Sequence, residues 1–224
     1  GARDVANLIG INTAQLAHDL GSTNPALLKL VIRAFNSYLR TTINNNDLRT
    51  AYYLFDRYRE VAEHMLATGR DTLATEIASH FQSYGQTAHL KGLSFLLDAA
   101  AFDVVRLIEF AVERDSPETD ALLDVLLDLD QEIREEMQED SLLGVRRSQI
   151  QLVTLFMARG DEVRVARIVE DLKGERVSRL RRLKAQLEAE ERPQYWELTD
   201  RGSNFRYLAP ERRRYLEPLF AALG

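Results

Sequence analysis

The chain has 224 residues, 45% apolar and 29% charged, and a formal net charge of −6. That balance fits one large globular domain, or a domain with a small appendage, and excludes a disordered chain. The negative charge argues against nucleic acid as a partner, and the lack of cysteine excludes disulfides and thiolate metal sites.

Apolar residues recur at helical spacing almost from end to end, and no alternating run is long enough to compete as a strand. A first helix is expected over residues 3–20, with Gly10 as a weak point. Gly21-Ser22-Thr23-Asn24-Pro25 supplies a stop, a cap and a proline at the first helical position. A second helix then runs to about Thr41. The polar break Asn44-Asn45-Asn46-Asp47 can cap a third, whose stripe Ala51, Leu54, Phe55, Tyr58, Val61, Ala62 and Met65 ends near Thr68-Gly69. Asp71 is placed to cap the fourth, which carries Leu73, Ile77, Phe81 and Tyr84.

Residues 86–114 read as a helix apolar nearly all round, which marks it as central. Ser116-Pro117-Glu118 opens the next helix, expected to reach Asp140. A further pair follows, residues 142–159 and 161 onward, joined at Gly160. Gly174 kinks or splits the last of these. After Pro193 the composition shifts, and Trp196, Phe205, Tyr207 and Leu208 are expected to fold the tail back onto the helical body. The reversals at Gly69 and Gly160 invite a tetratricopeptide reading, but no 34-residue period recurs.

The best metal-ligand pattern spans the Gly69 reversal. Glu60 and His64 stand four apart on one helix, Glu76 and His80 four apart on the next. Residues four apart share a helix face. A reversal near residue 70 sets His64 level with Glu76 and Glu60 with His80, so four oxygen and nitrogen ligands could converge on zinc, iron or manganese. Solvated flank residues are the plainer reading. No nucleophile–base pair or phosphate-cradling loop accompanies them. Asp98, set in the apolar run Leu96-Leu97-Asp98-Ala99-Ala100, is the candidate buried polar group.

Charge is segregated: acids dominate residues 109–140, and bases prevail from Arg146 to Lys184. The densest strip holds Arg176, Arg179, Arg182 and Lys184. Two solvated faces attracting each other are the plain reading, and a strip for an acidic partner, phospholipid head groups or RNA is the functional one, with RNA disfavoured by the lack of interleaved aromatics. The most apolar window, residues 93–112, is cut by Asp98, Asp103, Arg106 and Glu109, whereas a membrane span needs roughly 20 mostly uncharged residues.

Arg40-Thr41-Thr42-Ile43-Asn44, then Asp47, Thr50-Ala51 and Asp56-Arg57, resembles an uncharacterised family of predicted bacterial membrane proteins, in which a soluble helical domain follows several spans. Tyr195-Trp196-Glu197-Leu198-Thr199-Asp200-Arg201-Gly202 resembles the tail of such proteins, while the family's Asn-Asp-Pro turn is replaced here by Asn44-Asn45-Asn46-Asp47. The resemblance covers about a fifth of the chain. It implies a membrane-anchored parent and lends no activity.

The expected fold is all-α: an irregular array of antiparallel αα-hairpins around a central apolar helix, with a short C-terminal segment docked on it. Residues 1–192 form the helical domain in this reading and residues 193–224 the tail. The expected function is a non-enzymatic protein-interaction or regulatory domain without a cofactor, on the cytoplasmic side of a bacterial membrane or in the cytoplasm. Its partner is a protein, self or other, met through Arg176, Arg179, Arg182, Lys184, Trp196 and Tyr207. The alternative is a helical metalloprotein acting through Glu60, His64, Glu76 and His80.

Overall fold

The computed structural model describes residues 24–91, 94–129 and 143–173, together with Asn12, Gln15, Leu16 and Asp19. These form an all-α protein. In chain order the helices are α1 (Pro25–Asn44), α2 (Leu48–Ala67), α3 (Asp71–Leu90), α4 (Ser94–Glu113), α5 (Thr119–Asp128), α6 (Leu143–Ala158) and α7 (Glu162–Lys173). The chain divides into two compact units, Gly1–Val145 and Arg146–Gly224. The boundary expected at 192/193, and the tail beyond it, lie outside the described residues.

The turns follow local chemistry. Asn24 caps α1 by accepting the Leu27 amide at 3.1 Å, with Pro25 at the first helical position. Asp47 caps α2 by accepting the Thr50 amide at 3.3 Å. Asp71, expected as a cap, is instead the first residue of α3; its carboxylate accepts the Ser116 hydroxyl at 3.1 Å. Four helix ends share one closure. Asn46, Gly69, Asp115 and Gly160 take positive φ. In each case the next residue's N–H reaches the carbonyl five residues back, over 2.8–3.1 Å. This left-handed cap satisfies carbonyls that the helix end would otherwise strand.

A Cβ at Gly69 would meet no atom within 4 Å, so Gly69→Ala tests the backbone alone. It should cost about 1 kcal/mol, read as a lowered urea midpoint with unchanged m value, because an L side chain strains the left-handed conformation. Asp115→Gly should move the midpoint the other way or leave it unchanged.

The spacing of these elements is regular. Helices α1 to α4 are 20 residues each and start at residues 25, 48, 71 and 94, a step of 23. The core keeps that step. Leu28, Val31, Ile32 and Phe35 are buried in α1, Ala51, Leu54, Phe55 and Tyr58 in α2, Ala74, Ile77, Ala78 and Phe81 in α3, and Leu97, Ala100, Ala101 and Val104 in α4. The five-residue connection before α5 shifts the set by two, to Leu122, Val125, Leu126 and Leu129. One helix plus one turn is therefore the repeating unit, in place of a 34-residue hairpin.

Each helix of the first unit packs mainly against the next and the next but one: α1 on α2 and α3, α2 on α3 and α4, α3 on α4 and α5, α4 on α5. That pattern belongs to a two-layer helical array. Helix α4 is the apolar helix expected at the centre, buried from Leu96 to Val112 except at Asp98, Arg106 and Phe110. It starts at Ser94 and not at residue 86; residues 86–90 belong to α3. The break holds Gly92, 23 residues after Gly69, and continuous hydrophobicity across it hid a change of helix. Gly85 lets α3 and α4 approach closely, since a Cβ there would lie 2.9 Å from Leu97 Cδ1 and 3.5 Å from Leu97 Cα.

In the second unit, Asp161 caps α7 by accepting the Arg164 amide at 3.1 Å. Gln149 of α6 donates to Asp171 Oδ2 at 2.8 Å and accepts from Arg146 at 2.8 Å. Among the described residues no helix is long and apolar enough to cross a membrane.

Candidate functional site

Polar chemistry inside the first unit concentrates on α2, whose sequence runs Asp56-Arg57-Tyr58-Arg59-Glu60 and then Glu63. Spacings of three and four put Asp56 and Glu63 on either side of Arg59 along one helix face. Arg59 is buried, 7% exposed. It holds Asp56 at 2.7 Å, bonds Glu63, and reaches across to Asp103 of α4 with Nε 3.3 Å from Oδ1. Asp103 is completely buried. Burial opposes the Arg59 charge, yet the carboxylates of Asp103, Glu63 and Asp56 outweigh it and hold the guanidinium pKa above its ordinary value. Beside it, Arg57 binds Glu60 at 2.7 Å. Burial raises the Glu60 carboxyl, with Arg57 pulling it back.

A second cluster joins α1, α2 and α3. Phe35, Tyr58 and Phe81 occupy the same place in successive 23-residue units. Their rings form a column, Phe35 to Tyr58 at 4.8 Å and Tyr58 to Phe81 at 5.6 Å between centroids. The Tyr58 hydroxyl lies 2.6 Å from Nδ1 of His80. Burial raises the Tyr58 pKa well above its usual value, so Tyr58 keeps its proton and donates while Nδ1 accepts. Tyr84 is buried too, which raises its pKa, and it donates to the Asn36 carbonyl at 3.1 Å.

The quartet Glu60, His64, Glu76 and His80 is not brought together as a ligand set. All four are half-buried, and no group of three or more His, Asp and Glu able to hold a metal ion occurs among the described residues. The hairpin sets Tyr58, not Glu60, against His80, and Glu60 is held by Arg57. Asp98 is half-buried and rests on the backbone of Gly144, where a Cβ would come within 2.1 Å of its carboxyl carbon. The fully buried carboxylate of α4 is Asp103. Arg176, Arg179, Arg182, Lys184, Trp196 and Tyr207 lie outside the described residues.

Sequence reasoning missed Arg59, Asp103 and the Tyr58–His80 pair. The signal for Arg59 was present: an arginine flanked by acids three residues before and four after. Asp103 interrupts the same apolar run as Asp98, but its partner comes from another helix and leaves no local sign.

No protein-family model matches the chain, and no curated protein sequence does. Among solved structures, it is similar in fold to a circular tandem repeat protein with novel repeat topology and enhanced subunit contact surfaces, at 16% identity and a TM-score of 0.55. That alignment covers 99% of this chain, which spans 58% of the length of the other. A second structure, the DHF58 filament, aligns at 17% identity over 100% of this chain and 97% of its own, with a TM-score of 0.29. The first likeness shows the helical repeat fold and nothing about activity.

Proposed function

We propose that this chain is a protein-interaction or regulatory domain built as a helical repeat array, and that it forms the soluble part of a bacterial membrane protein. The observation that carries the interaction reading is at the first described helix. Leu27 and Leu30 of α1 are 41% and 59% exposed. The places equivalent to Leu27, at Thr50, Leu73 and Leu96, are all buried by neighbouring helices. So α1 exposes two leucines, one of them at a place that the neighbouring helices cover in α2, α3 and α4, and exposed apolar faces mark contact surfaces. The partner is a protein. The resemblance around residues 40–57 supports a membrane-anchored parent, and the proposal sets the domain on the cytoplasmic side.

The test is fractionation of native cells with an antibody to this domain, repeated with Leu27→Asp/Leu30→Asp. The proposal expects a band much larger than 25.6 kDa in the membrane pellet, with a crosslinked protein lost in the double variant. Thermal stability should change by less than about 1 kcal/mol, as for other exposed sites. A soluble band near 25.6 kDa would remove the membrane reading. Crosslinking unaffected by the two aspartates would remove the α1 contact.

A further inference from the structure

We propose that the Tyr58–His80 contact is an acid-sensitive latch that holds α1, α2 and α3 together and loosens when the imidazole takes up a proton. The geometry gives the hydroxyl one job. Tyr58 is completely buried, its ring held by Phe35 on one helix and Phe81 on another, and its O–H points at Nδ1 of His80 over 2.6 Å. The imidazole lies nearly parallel to the Tyr58 ring, 5.9 Å away at 10°. Tyr84 is 6.4 Å from the same imidazole and ties α3 to Asn36 of α1. One imidazole thus sits where three helices are joined, and it is only half-buried, so protons reach it.

The neutral ring accepts at Nδ1 and carries its hydrogen on Nε2. Protonation places a hydrogen on Nδ1 as well. The contact then survives only if the Tyr58 oxygen turns acceptor, which turns its own hydrogen away from the imidazole and gives up the bond it donated. The groups around His80 decide the direction. From α2 it meets Tyr58; on its own helix it meets Tyr84 and Glu76. Glu76, on α3 itself, is the charge that acts on both His80 and Tyr58, and from α1 Arg40 acts on the neighbouring Tyr84. Burial lowers the His80 pKa and Glu76 only partly restores it. A histidine whose folded pKa lies below its unfolded value contributes stability present above the unfolded value of about 6.5, and that stability is lost as the pH falls through it towards the folded pKa. The switch therefore acts in mildly acidic conditions and loosens α1 and α2 on α3, leaving α3, α4 and α5 packed on one another.

The experiment is hydrogen exchange on the full chain at about pH 7.5 and about pH 5.5, expressed as protection factors, with the histidine titrations followed by NMR. Wild type should lose protection in α1 and α2 on acidification and keep it in α4 and α5. His80→Gln offers Tyr58 a non-titrating acceptor and should abolish that loss. Tyr58→Phe keeps the ring, removes the hydroxyl, and should raise the His80 pKa. It also serves if the glutamine variant fails to fold. An acid response retained in His80→Gln overturns the latch. So does a wild-type His80 that titrates at or above the ordinary histidine value, or a Tyr58→Phe variant whose His80 titrates as in wild type.

Discussion

Arg59→Met should destabilise the first unit by about 3–5 kcal/mol, the usual effect of removing one member of a buried ion pair. For a unit of this size that corresponds to a fall in Tm of about 10 °C. Methionine keeps the length and apolar stem of arginine, so packing changes little. What changes is the charge opposite Asp103, a carboxylate with no exposed surface, and the bonds to Asp56 and Glu63 on its own helix. Arg59→Lys should recover only part of the loss, because an ammonium cannot address carboxylates from two helices in a fixed fork. The decisive variant is Arg59→Met combined with Asp103→Leu. Removing both charges should return stability to near the wild-type value or above it, since the pair itself contributes little net energy once its desolvation is counted. Calorimetry on the four proteins closes the double-mutant cycle. A double variant as unstable as the sum of the singles would mean that the two side chains act separately, and that the 3.3 Å approach of Nε to Oδ1 is incidental.

Local signals were legible in the sequence, and signals that depend on another helix were not. Asn24-Pro25, Asp47, Gly69 and Gly160 do in the structure what their chemistry predicts, because caps and left-handed turns are settled within a few residues. The 23-residue step was hidden because the left-handed positions are filled by different residues, Asn46, Gly69 and Asp115. The same is true of the core place shared by Ile32, Phe55, Ala78 and Ala101. Similarity of shape survives such exchanges and similarity of letters does not.

The His80 partner was missed by a single step of register. A reversal centred on residue 70 sets Glu60 opposite His80, and one centred on Gly69 sets Tyr58 there, as observed. Asp98 and Asp103 both interrupt the same apolar run, five residues and so about 140° apart around the helix. Only the neighbour each one faces, Gly144 for Asp98 and Arg59 for Asp103, decides which is a packed carboxylate and which a buried ion.

Phe81→Ala should be the costliest truncation in the aromatic column, at about 3–5 kcal/mol. Phe81 is fully buried, with Tyr58 at 5.6 Å and Phe55 edge-on at 5.3 Å, and its helix lies between α1, α2, α4 and α5. Phe35 holds the same place in α1, the first described helix, and within the column stacks on Tyr58. Among the described residues its helix packs mainly on α2 and α3, against four helices around α3, so the cavity left by Phe35→Ala can collapse further and should cost less, about 2–3 kcal/mol. The two variants also differ in reach. In an array whose stability is a sum of nearest-neighbour terms, Phe35→Ala should raise hydrogen exchange in α1 and α2 and leave α4 and α5 protected. Phe81→Ala should raise it across α1 to α5, because α3 is the helix that the others share. Equal loss of protection throughout the first unit in both variants would show that it unfolds as one block. Its 23-residue register would then describe geometry without dividing the energy.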